Sequence, residues 1–135
     1  MDKLTFTMEN YLEAVYELSR EGLGARLSDV AARLSVTKST ASIAMSALAK
    51  KGLVEGDRYR RVVLTKDGYG MALAVAEKHK TVERFFSEVL NLDDKTADTD
   101  ACAIEHVISD RAIEAMRDFL RGYVREGGDT NGGNE

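Results

Sequence analysis

The sequence predicts a mainly α protein, a winged helix-turn-helix domain over residues 1–64 followed by an all-helical domain over 65–126. Three observations carry that prediction. Two short helical stretches are separated by about three residues between Leu34 and Lys38. A hairpin pattern with a basic turn follows them, at residues 53–64. Beyond Thr65, apolar residues recur at helical spacing and no further strand pattern appears.

The first helix is expected to start at the cap Thr7 and to bury Tyr11, Leu12, Val15, Tyr16 and Leu18, ending near Gly22. Ala25-Arg26-Leu27 reads as a short extended link into the cap Ser28, and the second helix runs to Leu34. Thr37 caps a third helix over residues 38–51, with Ala41, Ala44, Met45 and Leu48 inward and Gly52 as the stop. In a helix-turn-helix the amino-terminal residues of the second helix enter the major groove, here Thr37, Lys38, Ser39, Thr40, Ser42 and Ile43. Hydroxyls and one lysine suit phosphate contacts, and Ile43 suits a thymine methyl, although the same hydroxyls also serve as ordinary caps. The hairpin that follows would be the wing, with Arg58, Arg60 and Arg61 facing the phosphate backbone.

A long linking helix over 65–90 carries Met71, Leu73, Val75, Val82, Phe85, Phe86 and Val89 as its apolar set. Asn91-Leu92-Asp93-Asp94 ends it and caps the next helix, expected to run to Ile108. Ser109 caps the last, with Ile113, Met116, Phe119, Leu120 and Tyr123 as its apolar positions. Residues 127–135, rich in Gly and Asn, read as a disordered tail.

A chain of 135 residues with 44% apolar content can bury one moderate core or two small ones. The net charge is −4, unevenly spread: residues 1–64 carry ten Lys/Arg against eight Asp/Glu, residues 65–135 nine against fifteen. A mildly basic half therefore precedes an acidic one, and Lys38, Lys50, Lys51, Arg58, Arg60 and Arg61 concentrate in one stretch. No apolar run approaches the length of a membrane span, and the amino terminus lacks a signal-peptide pattern, so no membrane partner is expected and a cytoplasmic location is. The single cysteine, Cys102, cannot form an internal disulfide, consistent with a reducing compartment.

In Cys102-Ala-Ile-Glu105-His106, helical spacing places a thiol, a carboxylate and an imidazole at i, i+3 and i+4. One cysteine excludes a thiolate-rich structural zinc site, and mixed S, N and O donors suit Fe(II), Mn(II), Co(II) or Ni(II). His79 and Glu83, spaced i, i+4, form a second candidate pair, and the chain has no other histidine than His79 and His106. The polar cluster could also be a structural helix end. An enzyme using Cys102 as nucleophile and His106 as base would need an orienting group and an oxyanion site, and no Gly-rich loop or nucleophile elbow accompanies them, so no enzymatic activity is expected.

Five stretches, in order, carry a family resemblance: residues 8–16 (MENYLEAVY), 27–34 (LSDVAARL), 59–65 (YRRVVLT), 78–80 (KHK) and 101–110 (ACAIEHVISD). Over residues 7 to 124 the chain resembles the metal-dependent repressors of the diphtheria toxin repressor and manganese transport regulator type. The resemblance implies a winged helix-turn-helix domain, a helical metal-binding and dimerisation domain, and metal-activated repression of metal-homeostasis genes by a homodimer on a palindromic double-stranded operator, with no small organic substrate. It makes Cys102, Glu105 and His106 the main site, and His79 and Glu83 ligands of a neighbouring one. Asp98 falls where iron-type members have a histidine ligand. Asn10 falls where they have Met and manganese-type members Asp, and Glu13 matches a glutamate of the manganese type.

The metal expected is Fe(II) or Mn(II), with Co(II) or Ni(II) able to substitute. The thiolate of Cys102 inclines the choice to Fe(II), whereas the absence of a third, SH3-like domain after residue 126 is the manganese-type pattern. A winged-helix regulator that senses an organic ligand without metal is the alternative.

Overall fold

The computed structural model describes residues 4–19, 24–56 and 61–123. Its elements are α1 (Phe6–Leu18), β1 (Ala25–Arg26), α2 (Leu27–Leu34), α3 (Lys38–Lys50), β2 (Val54–Gly56), β3 (Arg61–Leu64), α4 (Lys66–Arg84), a π-helical turn (Phe85–Val89), α5 (Asp94–Ile104) and α6 (Asp110–Arg121). The chain packs as two compact units, Met1–Ala76 and Glu77–Glu135, so α4 lends its first half to one and its second half to the other.

In the first unit, Leu12 and Val15 of α1, Val30 of α2, and Ala41 and Leu48 of α3 are fully buried in one core. Three short helices can share so small a core because each turns only one stripe inward. Thr37 caps α3 as expected: its Oγ1 accepts the Thr40 N–H at 3.1 Å and lies 2.9 Å from the Thr40 hydroxyl. The connection before it is closed by Ser35 in the left-handed region (φ 57°), with the Val36 N–H on the Ala31 carbonyl at 3.0 Å. At the far end of α3, Gly52 (φ +77°) and the Leu53 N–H on the Leu48 carbonyl stop the helix where the sequence places the stop.

The hairpin forms a three-stranded antiparallel sheet in the order β1-β3-β2, with Val54 opposite Leu64 and Arg26 opposite Arg61. The expected extended link at residues 25–27 is thus a strand over its first two residues. That pairing corrects the second helix as well. It begins at Leu27 directly from the strand, Arg26 is its cap residue without a side-chain bond, and Ser28 lies inside it. In α1 the cap is Thr5, whose Oγ1 accepts the Met8 N–H at 3.1 Å, and not Thr7, which sits in the first turn. The expected end near Gly22 lies outside the described residues, as do Arg58, Arg60 and the tail at 127–135.

α4 starts against the first unit. Thr65 Oγ1 accepts the Gly68 N–H at 3.0 Å and donates to the Gly52 carbonyl at 2.7 Å, while the Thr65 N–H takes the Leu53 carbonyl at 3.1 Å. Gly68 lies so close to Leu53 that a Cβ there would overlap the Leu53 carbonyl group. Ala72 is fully buried in the same core.

The second unit has its own small core of Val82, Ala101 and Ile113, covered by Phe86, Ile104, Ile108 and Met116. Asp93 and Ser109 cap α5 and α6 through the N–H groups of Thr96 (3.3 Å) and Ala112 (3.1 Å). Two expectations are corrected here. The linking helix is α-helical only to Arg84 and continues as a π turn to Val89. α5 ends at Ile104 rather than Ile108, because the Val107 N–H reaches back only three residues, to Ile104, and the chain tightens before the Ser109 cap.

Candidate metal centre and DNA-reading helix

The second half of α4, the middle of α5 and its C-cap bring three carboxylates of the second unit around His79. Its Nε2 lies 2.9 Å from Asp98 Oδ1 and 3.6 Å from Glu83 Oε1, and its Nδ1 lies 2.6 Å from Glu105 Oε1. The ligand atoms of His79, Glu83 and Asp98 all fall within 4.8 Å of one another. One ring nitrogen thus faces two carboxylates while the other is held by a third. That is the arrangement in which a carboxylate orients a metal-binding histidine from behind. One imidazole nitrogen and two carboxylate oxygens fit a divalent cation of the Mn(II) to Ni(II) series.

Burial disfavours a charged His79 ring, but the hydrogen bond to Glu105, the charge of Glu105, the hydrogen bond to Asp98 and the charge of Glu83 outweigh it and raise its pKa above the ordinary 6.5. When the ring is charged, its two N–H groups donate to Glu105 and Asp98.

Glu105 is fully buried and touches both histidines, its Oε2 lying 3.2 Å from His106 Nε2. The His106 side chain is 1% exposed. Because α5 stops at Ile104, Glu105 is its cap residue and His106 lies in the turn beyond, whereas Cys102 is on the helix proper and exposed. The expected single helical face therefore divides into a buried Glu105–His106 pair and an exposed thiol. Asn10 and Glu13 are half-buried on α1, one turn apart. The link between Glu105 and His79 escaped the sequence reading, since no local spacing relates residues 26 apart.

On α3 of the first unit, Lys38, Ser39, Thr40, Ser42 and Ile43 are exposed, Ile43 to 72%, while Ala41, Met45 and Leu48 are buried. An isoleucine so exposed beside hydroxyls and a lysine is suited to reading base edges and phosphates. Arg61 is half-buried on β3, and Arg26, which sequence reasoning missed, is exposed on the strand beside it. A two-residue strand offers no periodicity by which to find it.

A winged helix-turn-helix unit followed by a helical unit with an imidazole–carboxylate centre defines the class of transcription regulators that answer to a metal. Comparison with known proteins narrows the class. Residues 3–62 match the iron-dependent repressor N-terminal DNA-binding domain, and residues 65–126 match the iron-dependent repressor metal-binding and dimerisation domain. The chain belongs to the iron-dependent repressor family.

Among its relatives, the diphtheria toxin repressor of Corynebacterium efficiens is 34% identical over 125 residues, covering 90% of this chain and 54% of that protein. An uncharacterised helix-turn-helix-type transcriptional regulator of Methanocaldococcus jannaschii is 31% identical over 118 residues, 87% of this chain and 94% of that one. The solved structure of the manganese regulator SloR superposes with a TM-score of 0.72 at 30% identity, over 84% of this chain and 53% of that one. The chain thus spans about half the length of the diphtheria toxin repressor relative and nearly all of the archaeal one. Among the described residues no helix is long and apolar enough to cross a membrane.

Proposed function

We propose that this protein is a metal-activated, DNA-binding transcriptional repressor that senses Fe(II) or Mn(II) in the cytoplasm and controls metal-homeostasis genes. The observation that carries the reading is the His79–Glu83–Asp98 cluster, in a chain that matches both domains of the family in order. A regulator answering to an organic ligand alone is disfavoured, since it would leave that donor set and the metal-binding domain match without a purpose.

His79, Glu83 and Asp98 are the residues proposed to hold one ion, and Cys102, Glu105 and His106 to hold another. A bound divalent cation supplies positive charge that offsets the mutual repulsion of these carboxylates. The side chains themselves do the rest. Glu105 orients His79 through Nδ1, and Asp98 and Glu83 stand at Nε2, where a divalent cation would replace the proton the ring otherwise shares with them. The ordered state is the one proposed to present two α3 helices, from two copies of the chain, to successive major grooves of a palindromic operator. A coupling of about 1–3 kcal/mol, common in allosteric systems, changes operator affinity roughly 5- to 150-fold. Leu90, Val107 and Phe119 are exposed in the second unit, apolar surface of the kind a homodimer covers.

The test is selection of binding sites from a random duplex library with Fe(II), with Mn(II) and with chelator, followed by affinity measurements on the selected duplex. Metal-dependent enrichment of a palindrome is expected, and its loss in His79→Ala and His106→Ala variants that keep their far-ultraviolet spectra. Enrichment that ignores metal would refute the proposal.

A further inference from the structure

Residues 77–135 carry eight Lys/Arg against fourteen Asp/Glu, so a local excess of positive charge there needs a reason. Four of those eight cations line one groove. It lies between α4 and α6, has a volume of about 430 Å³, and is bounded by Lys80, Arg84, Arg117 and Arg121 with Glu77, Thr81 and Leu120. Arg84 is held by Glu88 at 3.0 and 3.1 Å, and Arg121 by Asp118 at 2.8 Å. Lys80 and Arg117 have no ionic or hydrogen-bonded partner among the described residues, although the unit is rich in carboxylates. Among the residues that line the groove, Glu77 is the one carboxylate.

We infer that this groove binds a small polyanion bearing phosphate or carboxylate groups. Arginine presents paired N–H donors that match such oxyanions, and those of Arg117 are not engaged by another group among the described residues. The groove lies in the size range of small-molecule pockets and has room for a ligand that carries more than one oxyanion group. The site is distinct from the metal centre. It draws on Arg117 and Arg121 of α6, which contributes no residue to the cluster around His79.

The experiment is calorimetric titration of citrate, then inorganic phosphate, into the full chain freed of metal on a chelating resin, with ionic strength held constant by chloride. Citrate is expected to bind saturably, phosphate to compete with it more weakly, and Arg117→Gln to weaken citrate at least tenfold. The double variant Lys80→Gln, Arg117→Gln should abolish binding. Arg111→Gln, on the same helix but outside the groove, should leave it unchanged. Arg117→Gln alone keeps the test decisive should the double variant unfold. Non-saturating heats, or equal binding by wild type and Arg117→Gln, would overturn the proposal. So would an oligoglutamate peptide that binds more tightly than citrate, since the groove would then be a peptide-docking surface.

Discussion

At the scale of single residues, the tightest constraint in the first unit is Gly68, whose Cα rests on the Leu53 carbonyl. Gly68→Ala has nowhere to place a methyl group without moving backbone, and an overpacking of this kind costs about 3 kcal/mol. Urea unfolding of the variant should show the loss; an unchanged midpoint would mean that the contact is looser than described. His79 imposes a different constraint. Because its folded pKa is raised above 6.5, its contribution to the stability of metal-free protein is fully present below 6.5 and lost as pH rises through the folded value. The stability gap between wild type and His79→Gln, both metal-free, should therefore be widest in acid and close toward alkaline pH, while the affinity of wild type for Mn(II) moves the opposite way. A gap that widens with pH would contradict the geometry around the ring. The chemistry of this residue was legible in its i, i+4 spacing from Glu83. Its buried partner Glu105 was not, because a carboxylate in a helix pattern reads as solvent-facing unless its partners on another element are known.

At the scale of elements, caps were the most legible feature wherever an extended residue precedes a helix. Thr37, Asp93 and Ser109 each accept the N–H three residues on, as their types and positions indicate. The misreadings differ in kind. Thr5 took the place of Thr7, a residue of the same capping type two positions on, whereas Arg26 took that of Ser28 because a strand pairing chose the starting residue over side-chain preference. The early stop of α5 and the π turn after α4 are set by backbone hydrogen bonds of other spacing, Val107 to Ile104 and Leu90 to Phe85, which side-chain periodicity cannot express. Thr37→Ala removes an acceptor at the amino terminus of α3 and should lower the stability of the first unit by about 1 kcal/mol. It should also weaken DNA binding beyond what that loss explains if the Thr37 hydroxyl meets phosphate. Equal affinity, after correction for the folded fraction, would leave Thr37 a cap only.

At the scale of the whole molecule, the order of units and the class of fold followed from the helix-turn-helix spacing, the hairpin and the ligand-bearing stretches, because each signal is local. What lay beyond sequence reading depends on residues far apart: Arg26 beside Arg61, Glu105 behind His79, and four cations gathered from two helices 37 residues apart at Lys80 and Arg117. The first half of α4 is the plainest instance. It follows the wing in sequence, yet the Tyr69 ring lies tilted against that of Tyr16 with centroids 5.7 Å apart, Met71 packs on the first core and Ala72 is buried within it. A fragment of residues 1–64 should consequently unfold or aggregate, whereas residues 1–76 should give a cooperative thermal transition; equal behaviour of the two would refute this. Seen as a matter of descent, the place where this DNA reader could be traded for another sensor without damage is then not the loop after the wing but the middle of a helix. A recombination that respects the apparent joint at residue 64 would inherit an open core.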